Sequence, residues 1–551
     1  ELAGFKTGDK LDDLSPAAEQ RNRDLFVKGA KGFEAYEREA LSPEEQLFYD
    51  IALSGIAHGE AALELKTPFS PSFPTPYRLS QLGGPYLTYA QLLQSFHPMI
   101  TKENAEDYIA RLGQVNAEMQ DFITTWSIDI GNGIIAPRFA LEKTSATLAG
   151  MLQGEARDNG FYTTFATKLE GIEGLSAEEK ADLLVRAETA VRDSVVPGYQ
   201  ALKAKVDETI PLASTDAGVW AQPGGEKLYA FAIKVFTNTG LSGDEIHALG
   251  LAEVERISAE ADAIFRSIGM NEGTVGERFA ALSEDPKQIY PNTPEGREAL
   301  LKYLQDNNQV IMETIPAYFA FVPKSGVEVR RVPEYAEATS PGGYYTQPSF
   351  DGSQPGIFWI NLRDTREQPV WTLKTLLYHE AAPGHHFEFA QTLEVPDRPL
   401  FRKYYFSSNY SEGWALYAER LAAEMGAYAD DPAGDLGRLN AEMLRAVRLV
   451  VDSGMHHKKW TREEAIDYMA SHTGTDRSLV ETEIERYAVW PGQALGYKMG
   501  MLKILELRGK AQAALGDAFD IKAFHQVILG EGAMPMNIVE ARVGAWIDSQ
   551  K

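Results

Sequence analysis

The 551-residue sequence predicts a mainly α-helical protein of two lobes with one small antiparallel β-sheet. Apolar residues recur at helical spacing over most of the chain, Ser-x-x-Glu helix starts repeat along it, and only one region alternates as strands do. The length exceeds that at which a single hydrophobic core usually stops growing. Two lobes with a cleft between them are therefore expected, an N-terminal helical lobe at 1–211 and a catalytic lobe at 212–551 that contains the sheet.

Residues 15–62 read as helix, with Ser42-Pro43-Glu44-Glu45 as a start signal. Residues 66–86 contain Pro68, Pro71, Pro74, Pro76 and Gly83-Gly84-Pro85, the composition of an ordered irregular loop. Helical periodicity returns over 89–205, where Ser176-Ala177-Glu178-Glu179 forms a capping box. A second proline- and glycine-rich break at 211–225 sets the lobe boundary, and helix resumes at Ser242-Gly243-Asp244-Glu245. Strand patterns occupy 327–332 and 356–362, joined through Pro341-Gly342-Gly343-Tyr344-Tyr345. An edge strand there suits a substrate backbone added as a further strand, which makes Tyr345 a candidate substrate contact; a purely structural sheet is the alternative.

The residues richest in chemistry follow at once: Tyr378-His379-Glu380-Ala381-Ala382-Pro383-Gly384-His385-His386. Zinc binds neutral imidazole nitrogens, and a glutamate beside the first histidine can deprotonate water without binding the metal. The spacing departs from H-E-x-x-H, whose second histidine lies at i+4, where this chain has Pro383. On an unbroken helix of about 100° per residue, His385 would point roughly 120° away from His379. Pro383-Gly384 is expected to break that helix and bring a histidine back. His385 is the preferred ligand, with His386 as the other candidate.

A third ligand is expected from Asn409-Tyr410-Ser411-Glu412-Gly413-Trp414-Ala415-Leu416-Tyr417-Ala418-Glu419, read as a helix. Glu412 and Glu419 lie seven apart and project from nearly one side. Glu412 is assigned to the metal and Glu419 to an imidazole N–H, since metal-bound histidines almost always donate to a neighbour. Arg445, Arg448 and Asp452 share a face of a later helix, where a substrate carboxylate or a structural ion network would pair them.

The His-Glu-x-x-Pro-Gly-His-His run, the Glu-Gly-Trp-Ala-Leu-Tyr-x-Glu run, and Pro491-Gly492-Gln493-Ala494-Leu495-Gly496-Tyr497-Lys498 resemble, in order, the bacterial family catalogued as domain of unknown function 885. That resemblance implies a gluzincin-like relative, a two-lobed helical zincin-like metallopeptidase with a deep active-site cleft, and a secreted or periplasmic place, often as a lipoprotein. His456, past the glycine expected to end its helix, matches a recurring family position and is the candidate oxyanion donor. Gln493, Tyr497 and Lys498 supply one more set of donors: Tyr497 is a second oxyanion candidate, and Lys498 or Arg486 is the candidate holder of a substrate's terminal carboxylate.

The expected activity is zinc-dependent hydrolysis of amide bonds in short peptides, of carboxypeptidase or oligopeptidase type, with Glu380 as general base and one zinc per chain. Manganese, cobalt or nickel would also suit a His/carboxylate site. A non-catalytic zinc- or peptide-binding protein and an amidohydrolase of a non-peptide amide are the alternatives.

A net charge of −26 disfavours nucleic acid, whose binding needs clustered Lys and Arg. No transmembrane run is present in the sequence, and the absence of cysteine excludes thiol catalysis, disulfides and Cys-based zinc sites. A start at Glu1 fits a removed signal peptide and a periplasmic or extracellular protein, lipid-anchored in some precursors. The sequence does not reveal the oligomeric state.

Overall fold

A computed structural model describes residues 8–334, 336–337, 340–349, 354–395 and 398–551. The chain is mainly helical, 69% by residue, with one three-stranded mixed sheet. Two compact units are defined by internal packing. One takes the chain up to Tyr36 together with Gly59–Leu228; the other takes Glu37–His58 and Tyr229–Lys551.

The first unit is built on α1 (Lys102–Gly131), whose Thr101–Asn104 capping box satisfies orphan N–H groups at its start. Buried Tyr108 and Tyr199 donate their hydroxyls to the carbonyls of Phe161 and Tyr86, so these large rings enter the core with their polar ends paired. The second proline- and glycine-rich break belongs here. Ser214 accepts a hydrogen bond from the Arg138 N–H, and the Gln222 side chain accepts one from the Ile135 N–H.

In the second unit α2 (Gly243–Ser267) starts at the expected Ser242–Glu245 capping box. The sheet consists of β1 (Val327–Arg331), β2 (Gly343–Thr346) and β3 (Gly356–Ile360), in the order β1-β3-β2. It corrects the expectation of an antiparallel sheet. The Gly- and Tyr-rich connection contains a strand of its own, β2, which pairs antiparallel with β3 in the register Gly343↔Ile360. Two chain reversals then restore β3 to the direction of β1, and these two pair in parallel from Val327↔Gly356. Central β3 is buried along nearly its whole length, as an apolar strand with neighbours on both sides must be.

Beyond the sheet come α3 (Val370–Glu380), α4 (His385–Glu394), α5 (Ser408–Glu424), α6 (Pro432–His456), α7 (Arg477–Val489) and α8 (Gly496–Leu515). Leu373, Leu377, Trp414, Tyr417 and Ile504 join one apolar core from α3, α5 and α8. Helices α5 and α8 cross at Gly413 and Gly500, where a Cβ on Gly413 would stand 2.5 Å from the Gly500 Cα. Helix α6 runs on through Gly454, which corrects the expectation that this glycine ends it. The hydrogen there leaves room for the Trp460 ring, which a Cβ would meet at 2.7 Å, so the glycine serves packing and not termination.

Candidate metal centre

His379 and Glu380 lie in the last turn of α3. The chain then turns through Ala381, a cis Ala382–Pro383 peptide and Gly384 before α4 begins at His385. A side chain on Gly384 would collide with the backbone carbonyls of Tyr378 and His379, so only glycine lets the turn pass so close to the helix it leaves. The Trp414 indole N–H donates to the Pro383 carbonyl at 3.0 Å and fastens this turn to α5. As a result the His379 and His385 rings face one another at 88°, their centroids 4.8 Å apart.

Glu412 enters from α5. Its Oε2 lies 3.5 Å from His379 Nε2 and 3.6 Å from His385 Nε2. Tetrahedral zinc with ligand bonds near 2.0–2.1 Å holds its donors about 3.3 Å apart, so these three atoms fit such an ion after small adjustments. They form a group of potential ligands, two buried imidazole nitrogens and one oxygen of a half-buried carboxylate.

The ligands are themselves held. Glu419, two turns after Glu412, accepts from His379 Nδ1 at 2.8 Å, which leaves Nε2 as the free lone pair. Glu388, on α4 one turn after His385, receives a hydrogen bond from the Ser411 hydroxyl at 2.5 Å. Its other oxygen faces His385 Nδ1 at 3.7 Å, and neither atom has another partner. Sequence reasoning passed over Glu388, although His385-x-x-Glu388 at i,i+3 in a helix was the available signal. His386 is occupied elsewhere: Tyr345 donates its hydroxyl to Nδ1 at 2.9 Å, and Nε2 faces the Ser325 carbonyl at 2.9 Å. The choice between adjacent histidines is thus made by the turn, which sends His385 inward and His386 toward β2.

Burial alone would push both inward imidazoles down. The nearby carboxylates of Glu412 and Glu419 outweigh it at His379, and those of Glu388 and Glu412 outweigh it at His385, so both lie above the ordinary histidine value. Burial raises Glu412, yet the two imidazoles hold it well below the usual carboxylate range. These carboxylates call for positive charge at the point where the donors converge. Glu380 is buried, has no hydrogen-bond partner among the described residues, and its charge acts on both imidazoles.

The remaining candidates form two groups. Tyr497 lies under the guanidinium of Arg448 at 4.5 Å and that of Arg445 at 5.9 Å, and burial with the charge of Glu412 pushes its hydroxyl up. Arg448 donates to the Tyr487 hydroxyl and to Glu483, while Arg486 donates to Glu483 and Gln493. Lys498, fully buried, is committed to Glu442 at 2.6 Å and Glu253 at 2.8 Å. Asp452 accepts from the Tyr229 hydroxyl and the Gly492 N–H, and burial pushes its carboxyl up to about 7. His456 has Nε2 against the Tyr487 carbonyl and its ring against Tyr229, and burial pushes it down to about 4.

Fold and site together define a mainly helical protein with a His-His-Glu cluster suited to a metal ion. The chain belongs to DUF885, a family of bacterial proteins of unknown function, whose model matches residues 2–543. It is similar in structure to a "putative lipoprotein" from Colwellia psychrerythraea, with a TM-score of 0.91 and 37% identity over 100% of this chain and 93% of that one. A "putative lipoprotein of unknown function" from Shewanella oneidensis shares the fold, with a TM-score of 0.75 and 19% identity over 98% and 95% of the two chains. No curated protein matches the chain.

Proposed function

We propose that this protein is a zinc-dependent hydrolase of amide bonds in short peptides. The observation that carries the reading is the convergence of His379 Nε2, His385 Nε2 and Glu412 Oε2 beside an unpartnered Glu380. A zinc ion held by those three residues would polarise a carbonyl and acidify water. Glu380 takes the proton from the attacking water and returns it to the departing amine, a role for which a carboxylate free of other hydrogen bonds is suited. Glu419 fixes His379 in the tautomer that presents Nε2 inward, and Glu388 stands 3.7 Å from His385 Nδ1, where it can take that N–H once the ring turns. Tyr497 is close enough to Glu412 for their charges to couple and is the oxyanion donor in this reading. Of the two oxyanion candidates we assign the role to Tyr497 and not to His456, whose Nε2 is engaged by the Tyr487 carbonyl.

No helix among the described residues is long and apolar enough to cross a membrane. Likeness to the Colwellia protein supports a periplasmic or extracellular place with a lipid anchor.

Elemental analysis of the purified protein and of His379→Ala, with both assayed on a mixed peptide library by mass spectrometry, tests the reading. One zinc per chain, lost from the variant together with cleavage, is expected. Metal without cleavage would point to a binding protein or a hydrolase of another amide; no metal in either protein would end the reading.

A further inference from the structure

Next to the metal cluster, α6 and α7 bring together three guanidinium groups, those of Arg445, Arg448 and Arg486. Glu483 is the one carboxylate ion-paired to them among the described residues, and it serves both Arg448 and Arg486. The next acid, Asp452, is given over to Tyr229 and Gly492. Arg448 is 7% exposed, yet its Nη1 has no hydrogen-bond partner. Arg445 makes a single hydrogen bond, to the Ala441 carbonyl, and its buried Nε has none. Three positive charges therefore face one negative charge, with two donors left unsatisfied. Buried charge and buried N–H groups are costly without partners, so such a cluster is stable only if an anion or water completes it.

The position says which anion. Both under-partnered arginines lie over the ring of Tyr497, one turn before Gly500 of α8, whose backbone meets Gly413, the neighbour of Glu412. Lys498, the other basic residue of that stretch, is closed off by Glu442 and Glu253 and cannot serve. Resting on the hydrolase reading above, we infer that Arg448 and Arg445 bind the free C-terminal carboxylate of a peptide whose last amide bonds lie at the metal centre. The protein is then selective for peptides with an unblocked C-terminus. The Arg448 and Arg445 guanidiniums supply the charge-assisted hydrogen bonds, while Glu483 and Gln493 hold the neighbouring Arg486.

The test uses the full chain, zinc-loaded, carrying Glu380→Gln so that binding is read without turnover. Isothermal titration calorimetry compares an N-acetyl tripeptide that ends in a free carboxylate with its C-terminal amide. The acid is expected to bind about 10- to 100-fold more tightly. Adding Arg448→Gln should abolish that preference and leave zinc content and affinity for the amide unchanged. Arg445→Gln, at a less buried position, should reduce the preference several-fold and guards against a folding defect in the first variant. Equal binding of acid and amide, no binding of either, or equal weakening of both by the arginine variants would overturn the inference. A preference for the acid in a protein whose wild type cleaves no peptide would uphold the carboxylate site and sink the hydrolase.

Discussion

Glu419 and Glu388 face the Nδ1 atoms of the two inward imidazoles at different distances: 2.8 Å at His379, 3.7 Å at His385. A distance of 3.7 Å is too long for a hydrogen bond, so His385 is the imidazole with freedom to turn. A metal ion that draws Nε2 inward would swing Nδ1 along with it, and Glu388 stands where that N–H can be met. Glu388→Gln should therefore weaken zinc binding by about 10- to 100-fold, read by competition with a chromophoric chelator, with little change in fold. Glu380→Gln should behave in the opposite way. It touches no ligand, so zinc content should stay at one per chain while kcat falls by about 10²- to 10⁴-fold. Retained turnover in that variant would remove Glu380 as the base. At this scale the sequence was most legible where chemistry is written in residue type and spacing, as in His379-Glu380 or the seven-residue step from Glu412 to Glu419. It was opaque where a residue's role depends on which way a turn faces: nothing in the order His385-His386 says which ring goes inward, and Glu388 has meaning only once that is known.

Between elements, the site depends on how closely α5 can approach its neighbours. Glu412 precedes Gly413, and Gly413 lies on the Gly500 backbone of α8. Two helices in such contact leave little freedom to the backbone that carries the Glu412 carboxylate. Gly413→Ala would force the pair apart, at a cost of about 1–3 kcal/mol in stability, and would move Glu412 away from the two imidazoles. Urea unfolding of the zinc-free variant should show the loss, and its zinc affinity should fall as well. A variant as stable as wild type with unchanged metal binding would mean that the crossing has slack which the geometry does not suggest. Helix starts such as those at Ser176 and Ser242 were readable because capping is local chemistry. The parallel pairing of β1 with β3 was not, since it follows from a four-residue strand inside a glycine-rich connection whose own pattern is too short to register.

Over the whole molecule, acid sensitivity follows from which buried groups titrate and in which direction. His525, between the Tyr318 carbonyl and the Tyr417 hydroxyl, is pushed down by burial to about 3, and His456 is pushed down by burial to about 4. Both bind a proton less readily folded than unfolded, where histidine titrates near 6.5. Between about pH 6.5 and 4 the unfolded chain holds more protons at these sites, and stability falls as pH falls. Asp452 runs the other way. Its carboxyl is pushed up to about 7 from an ordinary value of 3.8, so over the same window the folded state holds the extra proton and stability rises as pH falls. Each such proton is worth at most about 1.4 kcal/mol per pH unit, so Asp452 offsets roughly one histidine. Asp452→Asn keeps the shape and removes the titration. Its urea midpoint should therefore fall more steeply than that of wild type between pH 6.5 and 4.5, with the two curves diverging toward acid. Parallel curves would show that Asp452 is ionised in the fold at neutral pH, with Tyr229 and the Gly492 N–H stabilising the anion well enough to cancel the cost of burying it.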